Sequence, residues 1–263
     1  MPVELTVKGI LFDMDGTLVD STPAVERTLG DWAKRNGHEP SEFFQHSHGV
    51  RTQDTIKRFQ TIPVPGHSLT KQELLDSVMQ MEWLVAETGR LMHEAGGKGI
   101  ERLPGVRELL EPLRKGNARW GICTSATRTY ADSALRTSDL GSCPLDVPFI
   151  VAGNNVEHGK PHPEPYLKGM DELRKLGPGA DFTPNEILVV EDAPAGLRAG
   201  IAAGCQTLAV CTGQPIERVR TFEATLKTVD LTRVEVICAS PEGITLSIKT
   251  LEEDDKEGTT PRQ

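Results

Sequence analysis

The chain has 263 residues, 37% hydrophobic and 25% charged, with a formal net charge of −9. That length admits one large domain or a core with a smaller insert, and the acidic balance argues against non-specific binding to nucleic acid or an anionic membrane. No apolar run reaches the roughly 18 residues of a membrane span, Met-Pro-Val-Glu-Leu does not start a secretory signal, and five widely spaced cysteines form no CxxC pair, so a reducing cytoplasm is expected.

The apolar run from Val7 to Phe12 reads as a short buried strand, ended by Asp13-Met14-Asp15-Gly16. From about Ser21 to Gly97 the pattern turns helical. Ser21 or Thr22 with Pro23 starts a helix through about Asn36. Ile56 and Phe59 suggest a second, broken by Ile62-Pro63-Val64-Pro65-Gly66. A long helix from Thr70 to Ala95 carries Leu74, Leu75, Val78, Met81, Leu84, Val85 and Leu91 at helical spacing. After Gly96-Gly97-Lys98-Gly99, strands return: Ala118–Thr124, Pro148–Ala152, Glu186–Val190 and Gln206–Cys211, with helical stretches between them. Such alternation implies βαβ units and a parallel sheet. The alternating segment Val234–Ile248, with Pro241-Glu242-Gly243 inside it, suggests a terminal hairpin. The expected organisation is an α/β core from residues 1–20 and 98–248, a helical insert over 21–97, and a disordered acidic tail over 249–263.

Open α/β sheets place their sites outside the carboxyl ends of the strands. Asp13 and Asp15 come directly after the first strand, Thr124 and Ser125 after the second, Lys160 beyond the third, and Glu191-Asp192 after the fourth. Two carboxylates crowded at one strand end need a cation or a shared proton. A divalent metal beside a free carboxylate suits phosphate transfer. Each cluster also has a plain alternative. Asp-Gly is ordinary turn chemistry, Thr124 and Ser125 can cap a helix, Lys160 can be a solvated loop residue, and Glu191-Asp192 can complement a helix dipole. Their coincidence on one edge favours a site.

These segments, Asp13-Met14-Asp15-Gly16-Thr17, Thr124-Ser125, Lys160 and Glu191-Asp192, resemble in order the motifs of the haloacid dehalogenase-like superfamily. His46–Thr52, Thr124–Arg128, Gly159–Gly169 and Val190–Gly204 look like the fungal glycerol phosphatase and 2-deoxyglucose-6-phosphatase group. Asn154-Asn155 departs from that pattern, where the second position is more often Asp.

The resemblance implies a doubly wound, Rossmann-like core with residues 21–97 as a cap over the site. It also implies a Mg²⁺-dependent phosphatase acting on a small sugar or polyol phosphate. Asp13 would be the nucleophile and Asp15 the acid and base. Thr124 would bind the phosphoryl group, and Lys160 would neutralise it together with Asp13. Mg²⁺ would be held by Asp13, the backbone of Asp15, Asp192 and Glu191. Ser125, Arg128, His48 and Arg51 would bind substrate, the last two from a specificity loop. The expected partner is a small phosphate ester, with no nucleic acid or membrane, and the chain is expected to be a monomer. A β-phosphoglucomutase-type transferase is the first rival. That type carries a histidine early in the first cap helix, where this chain has Val25. A non-catalytic binding protein of the same fold is the second.

Overall fold

A computed structural model of the chain describes residues 1–47, 50–59, 69–138, 140, 147–177 and 181–257. In chain order its elements are β1 (Val3–Val7), β2 (Gly9–Phe12), β3 (Val19–Asp20), α1 (Thr22–Arg35), α2 (Pro40–Ser47), α3 (Thr52–Phe59) and α4 (Lys71–Glu94). Then come β4 (Glu101–Arg102), α5 (Val106–Lys115), β5 (Trp120–Cys123), α6 (Arg128–Thr137), β6 (Ile150–Val151), α7 (Glu164–Lys175), β7 (Ile187–Glu191) and α8 (Pro194–Ala202). The chain finishes with β8 (Gln206–Val210), α9 (Ile216–Arg220), β9 (Leu226–Thr228), β10 (Val234–Ser240), β11 (Gly243–Ile248) and α10 (Leu251–Glu257).

Six strands form a parallel sheet in the order β6-β5-β2-β7-β8-β9. Chain direction across the sheet reverses around β2, so β5 and β7 flank it on opposite sides. Strand residues alternate between two covered faces. Ile10 and Phe12 pack with Leu109 of α5 and Leu135 of α6, while Leu11 packs with Tyr166 and Met170 of α7. Helices on both faces make this the doubly wound α/β fold expected from the βαβ rhythm.

The run Val7–Phe12, expected as one strand, is divided between two sheets. Val7 ends β1, which pairs antiparallel with β11, whereas Gly9 opens β2 beside β7. An apolar run suits either partner, and both partners lie far away in sequence. Space is tight at Gly9, where the sheets diverge: a Cβ there would sit 2.9 Å from Leu173 Cδ1 and 3.2 Å from Arg119 O. The terminal hairpin β10–β11 forms where expected, and β1 joins it as a third strand.

Helices α1 to α4 lie between β3 and β4 and pack on one another. Pro23 starts α1 as expected, but Ser21 makes no side-chain cap, and Asp20 Oδ1 instead accepts from Thr22 N at 3.1 Å. Thr70 and Glu73 form a capping box that sets the start of α4. Val78, Met81 and Val85 are the buried stripe of that helix, while Leu75 and Leu91 are exposed. The tail departs from the expected disorder. Leu251–Glu257 is helical, with Leu251 and Asp254 fully buried and Lys249 Nζ 3.2 Å from Asp254 Oδ1. Acidic composition signals disorder only when nothing covers the chain, and here the core accepts Leu251 beside Leu197 and Val219. The Ile62–Gly66 break and residues 258–263 lie outside the described residues. No helix among the described residues is long and apolar enough to cross a membrane.

Candidate active site

The carboxyl ends of β2, β5 and β7 are adjacent, so the residues directly after each strand must converge. Asp13 N donates to Val190 O at 2.9 Å, which fixes the first turn against β7. Gly16 then turns the chain at φ +85°, and a Cβ there would lie 2.3 Å from Asp192 Oδ2. A glycine is needed here for both conformation and space. Gly213 approaches the same Asp192 oxygen, so two glycines make room for this carboxylate.

Lys160 reaches the same point from the loop after β6. Its Nζ lies 2.6 Å from Asp13 Oδ1 and 2.6 Å from Glu191 Oε1, and the residue is 2% exposed. Tyr166 of α7 donates its hydroxyl to Glu191 Oε1 at 2.7 Å, and Ala193 N donates to Oε2 at 3.2 Å. Neither Asn154 nor Asn155 is needed to hold Lys160. Asn154 Oδ1 accepts from Arg128 N and Asn155 Oδ1 from Ala152 N.

Asp13, Glu191 and Asp192 each offer a carboxylate oxygen, all within 4.8 Å of one another, and no second such group occurs among the described residues. Burial, with the Glu191 charge added, pushes the Asp13 carboxyl up to about 7 despite Lys160. Burial and the charges of Asp13 and Glu191 likewise raise Asp192 well above the usual range. Burial alone would lower Lys160, but its two carboxylate partners outweigh that and hold it above its ordinary value. Three carboxylates facing one lysine leave an excess negative charge, and an all-oxygen donor set with that excess fits a hard divalent cation.

Asp15 stands apart from this group. Its Oδ1 accepts from Tyr130 OH at 3.0 Å. Burial raises its carboxyl, and hydrogen bonds from Ser21 and Tyr130 partly oppose the rise. A carboxyl raised above its ordinary value holds its proton more tightly and can pass it to a leaving group. Asp13, Asp15, Asp192, Thr124 and Ser125 all line one cavity of about 150 Å³, closed above by Val25, Met81 and Val85 of α1 and α4. Thr124 Oγ1 accepts from Ala126 N at 3.1 Å, which shapes the turn after β5.

Two further expected substrate contacts, Arg51 and Arg128, are engaged elsewhere. Arg51 is 7% exposed and its guanidinium is already engaged. It pairs with Asp54 at 2.8 Å and donates to the carbonyls of Glu157 at 3.0 Å and Val156 at 3.4 Å. It also packs over Gly159, where a Cβ would lie 2.4 Å from Arg51 Nε. Arg51 therefore clasps the loop that carries Lys160. Arg51→Ala should lower kcat/KM for a sugar phosphate and for p-nitrophenyl phosphate by a similar factor, about tenfold, and lower the melting temperature. A loss confined to the sugar phosphate would restore it as a substrate contact. Arg128 is half exposed and pairs with Asp132 at 2.9 Å. His48 lies outside the described residues.

Three side chains of the site are not among the expected site residues: Tyr130, Tyr166 and Glu82. Each lies inside a helix, and only the tertiary approach of that helix to a strand end brings it in.

The family model of haloacid dehalogenase-like hydrolases matches residues 10–210. The chain belongs to that family. This hydrolase is 35% identical over 225 residues to hexitol phosphatase A of Escherichia coli, covering 85% of this chain and 92% of the relative. It is 34% identical over 213 residues to glycerol-1-phosphate phosphohydrolase 1 of Saccharomyces cerevisiae, covering 80% of this chain and 77% of the relative. The latter bears out the resemblance to the fungal glycerol phosphatase group. Among solved structures, β-phosphoglucomutase from Clostridium difficile matches with a TM-score of 0.66 at 20% identity, covering 86% of this chain and 92% of that one. That likeness is one of fold. The hydrolase is thus an enzyme whose curated relatives are phosphatases.

Proposed function

We propose that this hydrolase is a Mg²⁺-dependent phosphomonoesterase acting on a small sugar or polyol phosphate through a phosphoryl group held on Asp13. One observation carries the reading: Asp13 lines the cavity, bonds Lys160 and has the carboxylates of Glu191 and Asp192 within 4.8 Å. Asp13, Asp192, Glu191 and the backbone of Asp15 would hold Mg²⁺. When bound, the ion supplies positive charge against the phosphoryl oxygens and the Asp13 carboxylate.

The chain's own residues account for the proton and bond changes. A carboxylate oxygen of Asp13 forms a bond to phosphorus as the bond to the leaving oxygen breaks. Asp15 gives its proton to that leaving oxygen, releasing an alcohol. It then takes a proton from water, whose oxygen attacks phosphorus and frees Asp13 and inorganic phosphate. Lys160 balances the charge of Asp13 throughout, and Thr124 and Ser125 with the nearby backbone N–H groups hold the phosphoryl oxygens. Helices α1 to α4 act as the cap that excludes water from this chemistry. Val25, in the cavity wall, gives the cap an aliphatic group where a transferase of the rival type carries histidine.

The test is phosphate release from a panel of sugar and polyol phosphates, each with and without Mg²⁺. Metal-dependent release from at least one is expected; none from any panel member or from p-nitrophenyl phosphate would sink the proposal. Tyr130→Phe probes Asp15 within it. The lost hydrogen bond had lowered the Asp15 carboxyl, so the basic limb of the kcat/KM profile should move to higher pH. A limb that stays in place, or moves down, would remove Asp15 as the acid.

A further inference from the structure

We infer that Glu82 selects the leaving group, accepting neutral polyhydroxyl groups and rejecting those that carry a second anion. The inference rests on the phosphatase reading above and goes on to name the substrate class. Glu82 lies on α4, is 6% exposed and lines the cavity above Asp15. The same lining carries the apolar side chains of Val25, Leu29, Val50, Met81 and Val85 beside the hydroxyls of Ser21, Thr22, Thr52 and Tyr130. No lysine, arginine or histidine is among the described lining residues. Of the cations expected to bind substrate, Arg51 is engaged on the Lys160 loop and Arg128 on Asp132, and His48 lies outside the described residues.

The Glu82 carboxylate is held from two sides. Thr52 Oγ1 donates to Oε1 at 2.8 Å. Thr127 N donates to both oxygens, 3.1 Å from Oε2 and 3.3 Å from Oε1, and the Thr127 hydroxyl donates to Oε2. A carboxylate has about four acceptor positions; three donor hydrogens reach Glu82, one of them shared between its two oxygens, which leaves room for about one more. A sugar or polyol hydroxyl supplies such a donor. A carboxylate or second phosphate supplies none and brings like charge into a desolvated wall whose described lining residues include no lysine, arginine or histidine. A mutase, which must hold a bisphosphate, would face the same obstacle. Glu82 also ties α4 to the turn that carries Thr124 and Ser125, so a merely structural role is the alternative to be separated.

Two substrate pairs make the separation. Glycerol 1-phosphate and 3-phosphoglycerate differ in one end, a hydroxymethyl against a carboxylate; so do glucitol 6-phosphate and 6-phosphogluconate. Wild-type enzyme should favour the neutral member of the better pair by about a hundredfold in kcat/KM. Glu82→Gln should reduce that ratio about tenfold or more, and Glu82→Asp, which keeps the charge, should retain most of it. Circular dichroism checks the fold of both variants. If Glu82→Gln leaves the ratio unchanged while both members slow together, Glu82 is only a structural tie and the inference is overturned. Should that variant fail to fold, the wild type still decides, because equal use of both members overturns the inference. An enzyme inactive on every ester sinks the phosphatase reading itself, a result distinct from either of these.

Discussion

Asp13→Asn should abolish phosphate release, by about a thousandfold or more in kcat, while the protein stays folded. An amide oxygen is too weak a nucleophile to attack phosphorus, and the acidic group loses one anionic ligand. The fold should survive because the amide oxygen can still accept from Lys160, which also keeps its bond to Glu191. The substitution also removes a carboxylate whose ionisation burial and Glu191 oppose. Above pH 7 and without metal, the variant should therefore melt no lower than the wild type. Phosphate release and a thermal melt on one contaminant-free preparation check both statements. Turnover within tenfold of the wild type would exclude the covalent route. Lost activity together with a lost fold would make Asp13 a structural residue instead.

Mg²⁺ should stabilise the protein more at high pH than at low pH. The sign is set by Asp13, whose carboxyl moves from 3.8 to about 7 on folding. A group that holds its proton more tightly when folded adds no penalty below its unfolded value. It costs increasing stability between the two values, and its full cost applies above the folded one. Asp192 is shifted in the same direction. Lys160 titrates above its ordinary value of 10.5 and adds nothing to this window. In chelator, the melting temperature should thus fall as pH rises from about 5 to about 8. A bound divalent cation removes the repulsion but must displace protons at low pH, so its gain grows across the same range. Melts at about pH 5 and about pH 8, with chelator or with Mg²⁺, measure this. Asp13→Asn should flatten the dependence. An equal Mg²⁺ gain at both pH values, or none at either, would show that the acidic group is not the metal site.

The chemistry at the strand ends was legible because β2, β5 and β7 announce themselves as short apolar runs, and the polar residue directly after each is forced to the sheet edge. Lys160 was legible for a different reason: its neighbours match a known motif, though nothing in its loop shows where its amine points. Arg51 illustrates the opposite case. Its type and position suggested a substrate contact, yet the carbonyls of Val156 and Glu157 reach it first. Whether a buried guanidinium meets a ligand or a backbone depends on which loop passes within hydrogen-bond reach, and that is settled by the docking of α3 against a loop far away in the chain.

The amino-acid sequence by itself determined the α/β class, the helical stretch after the first strand and the acidic, hydroxyl and lysine groups of the site. All but the lysine come from local hydrophobic period and from residues tied to strand ends, which act over a few positions; the lysine comes from its motif. Tertiary structure alone decided the division of Val7–Phe12 between two sheets, the ordering of Leu251–Glu257 and the entry of Tyr130, Tyr166 and Glu82 into the site. Each of these depends on a partner distant in the chain, and an apolar run or a helical face carries no mark of which partner will cover it.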